Sequence, residues 1–363
     1  MATARTVPDI GGIESHVAEV ATRLGGERAG VEVFATDRTG TLARREVRAG
    51  MALRRFRAFP RSRDYYLSPG LFGALLRDRP ALLHVQGIHT LVPPLAMLAA
   101  ILGRVPFVLT FHTGGSSSAF RERSRGLQFR LLAPLLRRAA CLVAVSRFEA
   151  ERFEAVLGLP AGSIRVIRNG GALPPAPAGT APVPGRIVSI GRLERYKGHH
   201  RAIEALPHLV ASVPEAHLRI LGSGPYEAEL RALADRLGVA DRVEIVFVPP
   251  VEREAMATEV ARASVVALLS DYEAHPVAVM EALTLERPVL VLRTSGLTEL
   301  ADQGWVLGIH RGSGATETAD ALAAQLVDPV RADVADLPTW ETCTQELSEV
   351  YDSVLEVGRG SHR

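Results

Sequence analysis

Two carboxylates eight positions apart, Glu273 and Glu281, frame a loop and the start of a helix in the stretch SVVALLSDYEAHPVAVME. Val265 to Leu269 is a short β-branched apolar run, long enough for a buried strand. Ser270-Asp271-Tyr272 ends it, and Pro276 suits the first turn of a helix that carries Val277, Val279, Met280 and Leu283 inward. Glu273 therefore falls at the carboxyl end of a strand, and Glu281 one or two turns into the helix. In an open parallel sheet ligands collect at that end, and a helix N-terminus there attracts anions. Beside an anion, carboxylates make chemical sense as acceptors of hydroxyl hydrogen bonds. A sugar nucleotide offers both partners, ribose and hexose hydroxyls on either side of a diphosphate.

The elements that must hold such a site fill a chain of 363 residues. That length exceeds a typical single core, so two domains are expected. A composition 47% hydrophobic and 23% charged is that of a soluble globular enzyme, and a net charge of +2 excludes a strongly basic nucleic-acid binder. Cys141 and Cys343 lack metal-ligand spacing and read as reduced thiols of a cytoplasmic protein. The N-terminus carries no apolar signal core. Leu91 to Leu102 is too short to span a bilayer and contains Pro93 and Pro94, so it reads as a buried helix.

Taken in order, the chain opens on a glycine turn, Gly11-Gly12, and a helix with Ile13, Val17, Val20 and Leu24 on one face. Residues 1 to 7 supply only Val7 and alanines, so the strand expected before that turn reads as missing, truncated or a poor edge. Between Ala43 and Arg63 eight arginines face one glutamate, either a solvated basic edge or a patch for an anionic membrane surface. Strands follow at Val31–Ala35, Ala81–Val85, Phe107–Phe111, Cys141–Val145 and Ile164–Ile167, alternating with helical segments. Residues 172–184, proline-rich and uncharged, form a linker. The rhythm then restarts through Arg186–Ile190, Leu218–Leu221, Val243–Val248, Val265–Leu269 and Pro288–Leu292. Such alternation means parallel, doubly wound sheets. The organisation expected is an N-terminal unit over 1–171, the linker, a C-terminal unit over 185–337, and a closing helix over 338–357 packing back on the first unit.

The ordered set Gly11-Gly12-Ile13-Glu14-Ser15-His16-Val17, His112, Ser146, Asn169-Gly170, Gly191-Arg192, Lys197-Gly198, Gly222-Ser223-Gly224, Glu273 and Glu281-Ala282-Leu283 resembles the retaining glycosyltransferases of family 4. Gly191-Arg192-Leu193 with Lys197-Gly198, followed about eighty residues on by the glutamate pair, is the most specific part. The resemblance implies a GT-B fold, in which two Rossmann-like α/β domains face each other across a cleft. The chain departs from the family's pattern in its weak first strand, in Phe247, and in Leu285-Glu286-Arg287-Pro288, where a small-residue turn with glycine is usual.

On that resemblance Arg192 and Lys197 clamp the donor diphosphate, a job otherwise given to a metal held by Asp-x-Asp, which this sequence lacks. Without it, both read as solvated loop cations. Glu281 accepts from the ribose hydroxyls, and Glu273 lies near the transferred sugar, although its position also suits a helix cap. His275, Pro276, Val277 and Ala278 present backbone to sugar or phosphate, Gly222 belongs to the donor site, and Gly11 and Gly12 let the first loop approach the diphosphate. His112, followed by Thr113-Gly114-Gly115, contacts the donor sugar. The catalytic set expected is His112, Glu273, Arg192 and Lys197, with no metal and no cofactor beyond a nucleotide-diphosphate sugar. The other partner is a hydroxyl acceptor. Arg121, Arg123, Arg125 and Arg130 add to the anionic-surface reading, which places the protein peripherally on the inner face of the membrane. Nucleic acid is not expected, because aromatics are sparse around the arginines. Two other readings share the fold: a nucleotide-sugar 2-epimerase, and an impaired nucleotide-sugar-binding protein whose first strand is lost.

Overall fold

The computed structural model describes residues 1–9, 11–27, 30–48, 50–61, 66–113, 119–249 and 251–360, the side chains of 119–127 and 359–360 excepted. The chain separates into two units, one from Met1–Thr113, Phe120–Asn169 and the segment from Trp340 on, the other from Gly170–Thr339.

The first unit runs α1 (Gly12–Glu27), β1 (Glu32–Asp37), β2 (Arg45–Arg48), β3 (Met51–Arg57), α2 (Pro69–Asp78), β4 (Leu83–Gln86), α3 (Val92–Gly103), β5 (Phe107–Thr110), α4 (Ala119–Leu136), β6 (Cys141–Ala144), α5 (Arg147–Leu157) and β7 (Arg165–Val166). Its strands form two groups, β1-β3-β2 and β4-β5-β6-β7. The N-terminal residues join them. Ala2 bridges Phe34 of β1 and Val85 of β4, both in parallel. The segment is thus present and central rather than missing or at an edge, although it forms a single bridge and no strand. Its pairing is made by backbone alone, Ala2 N–H to His84 O at 2.8 Å, Gln86 N–H to Ala2 O at 2.9 Å and Thr3 N–H to Phe34 O at 2.9 Å. Ala2 is 1% exposed. With covered neighbours on both sides, a small side chain suffices, so no apolar pattern announces the bridge. Position two thereby becomes the point where the strand order reverses, the place where open α/β sheets hold ligands.

The arginine-rich stretch is less solvated than its composition suggests. Strand β2 pairs antiparallel with β3. On β3, Arg54 stacks over Phe34 and Phe56 and meets Asp78 at 2.5 Å. Arg55 is buried, 2.6 Å from Glu46, and donates to Val7 O at 2.8 Å. The helix over Leu91–Leu102 buries Ala96, Met97 and Ala100, but leaves Leu98 and Leu102 exposed.

The second unit runs β8 (Arg186–Ile190), α6 (His199–Ser212), β9 (His217–Leu221), α7 (Glu227–Arg236), β10 (Val243–Val246), α8 (Arg253–Ala261), β11 (Val265–Leu268), α9 (Val277–Thr284), β12 (Val289–Leu292), α10 (Ser295–Asp302), β13 (Leu307–Ile309) and α11 (Ala315–Val327). All its pairs are parallel, in the order β10-β9-β8-β11-β12-β13. β11 and β12 are buried along their whole length, as apolar runs covered on both faces must be. The order reverses between β8 and β11, so the loops leaving those two strands stand side by side. Pro276 is the residue before α9 rather than in its first turn.

Residues 171–185 contain neither helix nor strand, yet they lie pinned to this unit. Arg253 Nη2 donates to Ala172 O at 2.7 Å, and Val183 N–H to Arg262 O at 2.9 Å. The last helix, α12 (Trp340–Gly360), groups with the first unit and packs on α1. Trp340 is fully buried there, Arg23 reaches Glu341 at 2.8 Å, and Tyr351 OH lies 2.5 Å from His84 Nδ1. Among the described residues no helix is long and apolar enough to cross a membrane.

Candidate active site

The loop after β8 is shaped by close backbone approach. A Cβ on Gly222, at the end of β9, would stand 1.9 Å from Gly191 O, so only glycine lets the two strand-end loops touch. Gly198 has φ 75° and meets the far end of β11, where a Cβ would sit 1.9 Å from Leu269 O. The loop from β8 is therefore pressed against the loop from β11. That brings Lys197 Nζ to 2.6 Å from Glu273 Oε1, with both side chains mostly buried. Burial alone would lower the ammonium's pKa, but the adjacent Glu273 charge and hydrogen bond outweigh it and raise it, so Lys197 stays charged. Tyr196 places its ring 5.3 Å from the same Nζ. Arg192, more exposed, lies 2.7 Å from Glu194 and donates to Tyr196 OH at 3.2 Å.

Lys197 is also the only lysine in the chain, every other strongly basic side chain being arginine. A chain that uses arginine at all other basic positions keeps one compact ammonium here. This signal stood in the composition, and motif spacing alone does not reveal it.

Glu273 is held from behind. Ser295 Oγ donates to Glu273 O at 2.7 Å and accepts from Glu273 N–H at 2.8 Å, while Gly296 N–H reaches the same carbonyl at 2.9 Å. Ser295 adopts φ 44°, a left-handed conformation that a serine takes only under constraint. The carboxylate makes no cap to α9. It is aimed at Lys197 instead. Glu281, on the buried face of α9, pairs with Arg253 from α8. His275 is buried in the loop, and Val277 and Ala278 form the first turn, whose N–H groups precede the helical ladder. Sequence reasoning missed Arg253, Ser295 and Tyr196. The first two lie on separate elements from the glutamates they hold, so no local pattern marks them.

In the first unit His112 follows β5 with φ 50°. Its Nε2 donates to Gln86 Oε1 at 2.8 Å, and His89 Nε2 donates to its carbonyl at 2.7 Å. Burial, then the nearby His16, His84 and His89, keep its pKa well below the ordinary value, so the ring is neutral. Thr113 donates from N–H and Oγ1 to the buried Glu149, at 2.6 and 2.5 Å. Ser146 is a helix cap, accepting from Glu149 N–H at 3.2 Å. His16 donates from Nδ1 to Asn169 Oδ1 at 2.9 Å and packs edge-on to His112. Gly12 opens α1, and a Cβ on Gly11 would meet the Glu14 carboxylate at 2.4 Å. Ile10, Gly114 and Gly115 lie outside the described residues, as do the side chains of Arg121, Arg123 and Arg125. Arg130 is exposed on α4. No group of three or more His, Cys, Asp or Glu able to hold a metal occurs among the described residues.

Comparison with known proteins accounts for nearly the whole chain. The family model for glycosyltransferase family 4 matches residues 10–171, and that for glycosyl transferases group 1 matches 179–329. Together the two models span most of the chain and mark it as a family 4-type glycosyltransferase. The D-inositol 3-phosphate glycosyltransferase of Nocardiopsis dassonvillei is 28% identical over 97% of this family 4-type chain and 90% of its own length. WcaL of Escherichia coli, named as a colanic acid biosynthesis glycosyltransferase, is 34% identical over 48% of the chain. The chain spans about half the length of that relative, 45%. Among solved structures, Anabaena HepE in complex with UDP and glucose aligns with TM-score 0.76 at 19% identity, over 97% of this chain and 99% of that one. Sucrose-phosphate synthase from Thermosynechococcus elongatus aligns with TM-score 0.77 at 21% identity, covering 98% and 99%. These likenesses establish the two-domain Rossmann-like GT-B fold.

Proposed function

We propose that this family 4-type chain is a retaining glycosyltransferase that moves a hexose-type sugar from a nucleotide-diphosphate donor to a hydroxyl acceptor without a metal. The observation that carries the reading is the Lys197–Glu273 pair, 2.6 Å apart where the strand order of the second unit reverses. When the bond from C1 to the phosphate oxygen breaks, charge builds on the diphosphate, and a fixed ammonium beside Arg192 answers it with little reorganisation. Glu273 orients sugar hydroxyls, and Glu281 accepts from the ribose diol. Val277 and Ala278 offer N–H groups at a helix start. Neutral His112 contacts the donor sugar. The acceptor oxygen bonds to C1 on the face the diphosphate leaves, and its proton passes to the departing phosphate oxygen. HepE, whose structure was solved with UDP and glucose, supports the donor class.

The acceptor is read as a hydroxyl compound presented at the inner, anionic face of a membrane. Exposed Arg44, Arg45 and Arg57 favour this location, in a cytoplasmic protein. Full solubility with acidic-lipid vesicles at low salt would remove the membrane part.

A panel of sugar nucleotides screened by thermal shift tests the donor reading, because a bound donor raises apparent stability by mass action. The expected result is a clear shift with one nucleotide family. Analysis of the product anomer made from that donor then tests retention. A folded protein that no sugar nucleotide stabilises would overturn the reading.

A further inference from the structure

We propose that Arg253, at the start of α8, is a positioning residue for recognition of the donor's ribose. The inference rests on the proposed donor site and adds to it a residue that no sequence motif marks. Glu281 can accept from a ribose diol only if its carboxylate is held at a fixed angle, and α9 alone does not fix that angle. Beyond the helix backbone, a glutamate has three rotatable bonds. Arg253 supplies the restraint. One nitrogen, Nη2, donates both to Glu281 Oε1 and to the backbone carbonyl of Ala172. The second acceptor matters as much as the first. A main-chain oxygen cannot swing away as a side chain can, so it fixes the guanidinium, and the guanidinium fixes the carboxylate. Ala172 is itself immobilised, because the preceding Gly171 packs against α9 so closely that a Cβ would lie 2.3 Å from the Met280 carbonyl carbon. Three segments far apart in sequence, the 171–172 stretch, the start of α8 and the body of α9, thus converge on one planar cation.

The charge of Arg253 has a second effect. Glu281 is only 8% exposed, and a carboxylate there needs a counter-charge to remain ionised and a strong acceptor. Arginine suits the position, since the two hydrogens of Nη2 are held in the rigid guanidinium plane, one for each acceptor, where a lysine ammonium would rotate freely. The chain's use of its single lysine elsewhere agrees with that division of labour.

The test is a ratio of affinities. Uridine, guanosine, adenosine and thymidine diphosphates are titrated against the full chain by calorimetry, and the best ribose-bearing ligand is compared with its 2′,3′-dideoxy form. Wild type should prefer the ribose form by about tenfold or more, the discrimination expected of hydroxyls donating to a charged acceptor. Arg253→Met should bring the two ligands within about threefold of each other, and Arg253→Lys should restore part of the gap. A merely structural role would weaken both ligands equally and leave the ratio unchanged. An unchanged ratio in Arg253→Met, with Glu281→Ala abolishing it, would overturn the role of Arg253 while sparing the donor site. A ratio that survives Glu281→Ala would overturn the assignment of Glu281, and with it this proposal. Wild-type protein that binds none of the four would overturn both.

Discussion

Lys197 Nζ and Glu273 Oε1 are 2.6 Å apart, although the two residues stand 76 positions apart in sequence and leave different strands. The pair joins the two loops at the reversal of strand order, and both charges are mostly withdrawn from solvent. On the donor reading proposed above, this cation also answers charge on the leaving diphosphate. Replacing it with alanine should remove about 3 kcal/mol of transition-state stabilisation, a fall in turnover of roughly a hundredfold or more. Lys197→Arg should also lose activity, because a planar fork beside Glu273 would engage the carboxylate in a bidentate pair instead of the diphosphate. Near-normal turnover in Lys197→Ala would end the clamp.

The single lysine makes its own protonation measurable. Amine-reactive reagents can label one internal side chain here, and mass spectrometry of the peptide carrying Lys197 reads the rate. Only the neutral amine reacts. In the folded protein burial lowers its pKa, but Glu273 raises it further than burial lowers it, so labelling should be slow at neutral pH and its midpoint should lie above that of an ordinary lysine. Removing the acid as Glu273→Gln leaves burial as the dominant influence. The midpoint of the rate profile should then move to lower pH, and a bound nucleoside diphosphate should slow labelling in both proteins. Identical profiles for the two proteins would contradict the pairing.

Much of this arrangement was legible in the residues. Strand–helix alternation, the glycine turns and the positions of Glu273 and Glu281 come from local patterns, which survive in any tertiary setting. Three features were not legible, for distinct reasons. The bridge at Ala2 is made by backbone pairing with almost no side-chain signature. β2 and β13 are short and only partly buried, so neither carries an apolar run. The partners of the glutamates, Arg253 and Ser295, lie on other elements, and only the fold brings them near. Filling the Ala2 position also removes the premise for an impaired binding protein, which rested on the loss of that segment.

Ser295 offers a test of how firmly Glu273 must be held. Ser295→Gly relieves the left-handed backbone at φ 44°, worth about 1 kcal/mol, while deleting a hydroxyl that makes two hydrogen bonds of about 1 kcal/mol each. Stability should therefore fall by about 1 kcal/mol, and turnover should fall several-fold, because the Glu273 backbone loses its clamp. Ser295→Ala keeps the strain and loses the bonds, so it should unfold at lower temperature than the glycine variant. Equal activity in wild type and Ser295→Gly would show that the clamp is dispensable.

Metal dependence separates two ways of answering charge on the leaving group. With Lys197 and Arg192 in that role, turnover should persist in excess EDTA and change less than about twofold on adding magnesium or manganese. Activity that vanishes with chelator and returns with one divalent ion would assign the charge to a metal instead.

Acid should loosen both units through buried histidines. His16 in the first unit and His199 in the second each have a pKa lowered to about 4, chiefly by burial. His16 is partly offset by its bond to Asn169, and His199 by its contact with the Arg192 carbonyl. The unfolded chain takes up these protons near pH 6.5, before the folded one does. Stability is therefore complete above pH 6.5 and is lost as pH falls toward 4, by on the order of 3 kcal/mol for each ring. Thermal unfolding followed from pH 7 to 4.5 should show this decline. His16→Gln and His199→Gln should each flatten it, being less stable than wild type at pH 7 but closer to it at pH 4.5. Curves that stay parallel across the whole range would show that neither histidine is buried as a neutral ring.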